Sequence, residues 1–212
     1  MSHTILYVVV SVLSFVSQSV SQALIHGYGF KLAVTSADQK FENTYLSGVE
    51  TKRRVGFNIG GYIEWFDSHF FTLVTQLEYV QKGMGQRFAI TVDDPTVIEY
   101  KDFYSRLDYL SLPLLGKFFL SGESLSPFIL VGPRADFLLG YNSDENVFNS
   151  VYDDFMKTVI GGTLGAGIEI TGVLPLPLAV EARYNIDFAD SYNTQFLKVR
   201  NNAFDFWLGI KL

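Results

Sequence analysis

Between Leu178 and Phe188 the sequence alternates without a break. Leu178, Val180, Ala182, Tyr184, Ile186 and Phe188 take one set of positions; Ala179, Glu181, Arg183, Asn185 and Asp187 take the other. A strand sends successive side chains to opposite faces, so this one carries an apolar face and a densely charged face. A soluble sheet with one wet face can show such a pattern too. Its recurrence in about eight segments of barrel length, with charge kept off one face throughout, marks strands that meet lipid on one side and line a polar lumen on the other.

The pattern recurs. Strands are predicted around Phe30–Thr35, Arg54–Trp65, Phe71–Lys82, Leu107–Leu120, Ile129–Leu139, Met156–Ile170, Leu178–Phe188 and Phe204–Leu212. The polar stretches Asp38–Lys52, Met84–Tyr104, Asn142–Asp154 and Ala189–Asn201 read as long connections, and Phe66–His69, Ser121–Ser126 and Thr171–Leu176 as short turns. The expected fold is all-β: an eight-stranded antiparallel transmembrane β-barrel, with long loops at one end and short turns at the other. Closure is required because an open edge in lipid leaves backbone groups unpaired, at several kcal/mol each.

The inward face then collects Lys31, Arg54, Lys82, Lys117, Arg134, Lys157, Arg183 and Lys211 against Glu64, Glu78, Asp136, Glu169, Glu181, Asp187 and Asp205. Arg53, Arg106 and Asp108 fall on the lipid parity, at the outer strand ends where a charge costs little. Eight strands enclose a space just wide enough to be filled by side chains. The near balance of charge therefore predicts a structural lumen network of Arg54, Glu64, Glu78, Lys82, Lys117, Arg134, Asp136, Glu169, Glu181, Arg183, Asp187 and Asp205. The inward Gly161, Gly165 and Gly167 leave room for the long cationic side chains.

Other chemistries are disfavoured. Cysteine is absent, which removes disulfides and thiolate sites. A net charge of −6 argues against nucleic acid. Beyond the N-terminus no apolar run reaches the length of a membrane-spanning helix. Gly162–Gly167 superficially suggests a nucleotide loop but lies inside an alternating strand with no helix after it. Asn142, Asp144, Asn146 and Asp153 have calcium-loop spacing, but Val147 stands where glycine is needed. In this topology neither His26 nor His69 reaches the outer rim, so a rim hydrolase is not expected. The reading is non-enzymatic, with no cofactor and no metal.

The apolar run Ile5–Val16, followed by Ser21-Gln22-Ala23, predicts a signal peptide over residues 1–23 and a barrel domain over residues 24–212. Both termini of the barrel are expected on the periplasmic side of a bacterial outer membrane. Its expected partners are outer-membrane lipid and, through extracellular loops or periplasmic turns, other proteins.

Several ordered stretches carry a family resemblance: Leu77–Gly83, Tyr109–Lys117, Gly132-Pro133, Gly165-Ala166-Gly167 and Glu181–Tyr184. Together they resemble the Bacteroidetes-type outer-membrane β-barrel family, the PorT-like and OmpX-like small barrels. That resemblance implies an eight-stranded outer-membrane barrel whose shared positions are structural rather than catalytic. It also supplies the alternative role of an accessory component in a protein-secretion apparatus.

Overall fold

The computed structural model describes residues 24–43, 51–66, 70–91, 98–120, 124–143, 154–172, 175–193 and 197–212, with residues 68 and 122. The expected signal peptide lies outside these residues. Nine strands follow one another: β1 (Ile25–Asn43), β2 (Thr51–Trp65), β3 (Phe71–Thr91), β4 (Ile98–Phe119), β5 (Leu125–Ser143), β6 (Thr158–Ile170), β7 (Leu178–Asp187), β8 (Tyr192–Asn193) and β9 (Leu197–Lys211). Each pairs antiparallel with its neighbour, and β1 pairs with β9, so β1 to β7 and β9 close a ring of eight. The two-residue β8 pairs with β9 alone, outside that ring.

Register aligns the apolar residues of adjacent strands into a belt. Leu32 of β1 stands opposite Leu208 of β9 and Ile59 of β2. All three point outward, 59%, 55% and 47% exposed, while Lys31, Ala33 and Thr35 between them are buried. Apolar exposure on this scale, continued around the ring, is far beyond what a soluble monomer presents to water. The belt faces lipid.

The strands are longer than the alternation suggested. The expected loop from Asp38 enters β1 as far as Asn43, and Met84–Tyr104 becomes the ends of β3 and β4 around the connection 92–97. Likewise the expected last loop is interrupted by β8 and yields Leu197–Asn201 to β9. Beyond the lipid belt apolar and polar residues no longer keep to separate strand faces, so the period weakens while backbone pairing continues, as in Gln39↔Asn201 and Arg87↔Asp102. Strand extension therefore helps to distinguish the two ends of the barrel. The connection 92–97 is no longer than the turn 171–177.

One irregularity sits beside the lumen. Between Arg53 and Asn58 the β2–β3 register slips by one residue. The Gln81 backbone N–H donates to Asn58 Oδ1 at 3.1 Å, and the Phe57 N–H to Gln81 Oε1 at 3.4 Å. Two amides thus replace ladder bonds lost at a bulge. Gly83, at φ 129°, supplies the backbone angle there that a side chain would resist.

The start of β1 and the end of β9 meet at the short-turn end, where the Leu212 N–H donates to the Tyr28 carbonyl at 2.8 Å.

Candidate functional site

Because alternate residues of every strand turn inward, the charges of eight strands share one narrow space. They sort into three groups, each of two cations and two anions.

The first group lies at the short-turn ends of its strands. Lys117 of β4 donates to Glu64 Oε1 of β2 and to Glu169 Oε2 of β6, both at 2.7 Å. Lys211 of β9 completes the ring, 2.7 Å from Glu64 Oε2 and 3.8 Å from Glu169 Oε1.

The second group crosses the lumen. Glu181 of β7 receives Lys31 Nζ at 3.1 Å and Arg183 Nε at 2.7 Å. Arg183 Nη1 then reaches β3, donating to Gln76 Oε1 at 2.8 Å and Glu78 Oε1 at 3.0 Å.

In the third group, Lys82 of β3 binds Asp136 Oδ2 of β5 at 2.6 Å and Asp187 Oδ1 of β7 at 3.1 Å. Arg134 bridges the same two carboxylates, its Nε 3.3 Å from Asp136 Oδ2 and its Nη2 on Asp187 Oδ1. Asn201 of β9 adds a bond to Asp187 Oδ2 at 3.1 Å.

Lys82 and Arg183 are 1% exposed and Asp136 is fully buried. Charges so far from water are tolerable only when paired and hydrogen-bonded. Aromatic faces help hold them. Lys31 Nζ is 4.5 Å from the Tyr62 ring centre, Lys117 Nζ 4.5 Å from Phe128, Lys82 Nζ 5.0 Å from Tyr109, and Arg183 Cζ 5.1 Å from Trp207.

Two apolar clusters pack among the charged groups. Tyr62, Val74, Leu115, Phe128 and Leu130 pack together on the short-turn side, with Phe119 against them. Leu107, Tyr109, Phe155 and Val199 pack on the long-loop side. Chemically, the arrangement holds a balanced set of buried charges in place and ties non-adjacent strands to one another.

Ten of the twelve predicted network residues fall in these three groups. Asp205 is held by neutral donors instead, Thr35 Oγ1 and Asn185 Nδ2, the latter at 2.6 Å. Arg54 is only half-buried, beside the bulge. Lys157, placed inward by parity, is exposed, because it precedes β6 and its side chain is free of the strand's alternation.

Two of the inward glycines match their expected purpose. A Cβ on Gly161 would stand 3.1 Å from Arg134 Nε, and one on Gly165 2.9 Å from Arg183 Cγ. The third differs: Gly167 makes room for Phe128, 2.5 Å from the same hypothetical atom. Gln76, Asn185 and Asn201 were missed as network members, and so were both apolar clusters. Parity alone would have found Leu115 and Leu130, each an even step from an inward cation.

Gly162–Gly167 lies within β6, and His26 is on β1 near the short-turn end. Of the calcium-spaced set, Asn142 is the penultimate residue of β5 and Asp144, Asn146 and Asp153 lie outside the described residues, as does His69. Among the described residues no group of three or more His, Asp or Glu could hold a metal ion.

The family model for the outer membrane protein beta-barrel domain matches residues 17–193. Among solved structures, OprG of Pseudomonas aeruginosa is similar at 10% identity and a TM-score of 0.52, over 90% of this chain and 96% of that one. Outer membrane protein W of E. coli aligns at 13% identity and 0.44, over 88% and 98%. Ail of Yersinia pestis, solved with the heparin analogue sucrose octasulfate, aligns at 14% and 0.43, over 90% and 100%. The likeness to OprG is one of fold. No curated protein sequence matches the chain. These matches reach the outer-membrane barrel family as a whole, not its narrower PorT-like branch.

Proposed function

The chain belongs to the outer membrane protein beta-barrel domain family, and from that premise we propose that it is a non-enzymatic, non-conducting barrel of structural or surface-interaction role. The observation that carries this reading is the filled lumen. Three charge-paired groups and two apolar clusters occupy the interior, and a space filled in this way would offer ions and solutes no continuous wet path. Contact with the exterior then falls to the long loops, acidic through residues such as Asp93, Asp94, Asp144 and Glu145, and contact with the periplasm to the short turns and both termini of the barrel.

Planar-bilayer recording of the refolded barrel tests this. Silence, or rare small openings, is the expected result. Large steady conductance of the porin kind would overturn the reading.

A further inference from the structure

The chain has sixteen lysines and arginines. Six face the lumen and Arg54 stands half-buried at its wall. The other nine all lie at the long-loop end of the barrel, and the short turns contain none. Arginine and lysine on a lipid face are costly at mid-membrane and cheap at the interface, which explains their absence from the belt. It does not explain why one interface takes all of them.

On the outer ends of β9, β1 and β2 the arrangement is specific. Lys40 stands directly opposite Arg200 in the β1–β9 register, with Lys198 two residues further along β9. Like charges placed opposite each other across a strand pair are destabilising unless an anion lies between them. Arg200 is held by Asp190 at 2.5 Å. Asp38 turns one carboxylate oxygen onto its own chain, accepting from the Gln39 N–H at 2.8 Å, and Glu42 is the register partner of Lys198. Lys40, Arg53 and Lys198 have no ion pair among the described residues, and all three are exposed. Below them on the same strands runs an outward apolar column that includes Leu32, Val34, Phe206 and Leu208, each more than half exposed.

Cations directly above an apolar column fit one kind of molecule: an amphiphile with acyl chains and an anionic headgroup. We propose that Lys40, Arg53 and Lys198 form a docking surface for phosphate-bearing lipid in the membrane leaflet at the long-loop end. Acyl chains would lie along the β9–β1 column and the phosphate between the three cations. This rests on the reading of the chain as a lipid-embedded barrel, but not on its lumen being closed.

Native mass spectrometry of the full barrel in mixed micelles tests the proposal, with phosphatidic acid and phosphatidylcholine as probes. The unaltered protein should retain phosphatidic acid at least tenfold more strongly. Retention should fall by roughly fivefold for each cation removed in the K40Q/R53Q/K198Q variant, the scale expected of a basic side chain near an anionic membrane surface. Removing two other rim cations, K101Q/K157Q, should leave it unchanged. Millimolar inorganic phosphate should not displace the lipid; displacement would identify a free-phosphate site and overturn the lipid assignment. Equal retention by the triple variant, with a β-sheet circular-dichroism spectrum matching that of the unaltered protein, would overturn the proposal as well. Bilayer recordings of the same variant separate the two readings, since lipid docking can fail while the lumen stays silent.

Discussion

At the scale of single residues, the centre of the lumen turns on Glu181. Its two carboxylate oxygens take Lys31 and Arg183. Removing one partner of a buried pair leaves an uncompensated charge at a cost of about 3–5 kcal/mol. Glu181→Ala should therefore lower the unfolding free energy by that amount in urea titrations of the lipid-inserted barrel; a loss below about 1 kcal/mol would show the cations are satisfied otherwise. Outside the lipid belt the balance differs. Asp102, near the tip of the β3–β4 hairpin, is held at about 2 by hydrogen bonds from Arg87 and Lys52. A depressed carboxylate contributes stability that is complete above its unfolded value, about 4, and is lost as pH falls through about 2. An NMR titration of Asp102 should show that low midpoint, moving toward about 4 in R87Q/K52Q. A midpoint unmoved by the double change would contradict the assignment. Which residues face inward was legible from parity. Which of them pair was not, because Arg183–Glu78 and Lys82–Asp136 join strands that are not neighbours, and only the closed ring brings them together.

At the scale of elements, alternation located the strands only where one side meets lipid. It failed past Asp38, Met84 and before Asn201, where mixed apolar and polar residues on each face weaken the period but leave the ladder intact. The bulge between β2 and β3 was equally hidden, since a one-residue slip leaves no compositional mark beyond a glycine. That glycine is open to test. A Cβ on Gly83 would lie 2.0 Å from the Ser105 carbonyl oxygen, at a φ of 129° that other residues rarely adopt. Gly83→Ala should cost about 1–3 kcal/mol in the same urea titration, as residues forced into sparsely populated backbone regions do. No change would mean that the β3 backbone relaxes freely there.

At the scale of the whole molecule, a ring of strands carries an apolar belt outside and three paired charge groups inside. Charge groups tie β4 to β2 and β6, β7 to β1 and β3, and β3 to β5 and β7, so the wall is braced across its diameter as well as around its circumference. The two apolar clusters stay out of sight in a count of inward charges, although Leu115 and Leu130 share the parity of inward cations on their strands. The native chain has no cysteine, which makes one measurement decisive for a filled lumen. Ser111 is 2% exposed in the lumen wall, opposite Asp136 in the register, and Ser→Cys changes little but the sulfur. Asn193, exposed on β8, serves as the reference. In the folded, lipid-inserted barrel a small water-soluble maleimide should label Asn193→Cys promptly and leave Ser111→Cys untouched from both sides of the membrane until the protein is heat-unfolded. Labelling of Ser111→Cys in the folded barrel at the rate of Asn193→Cys would show a water-filled passage through the lumen and contradict the account.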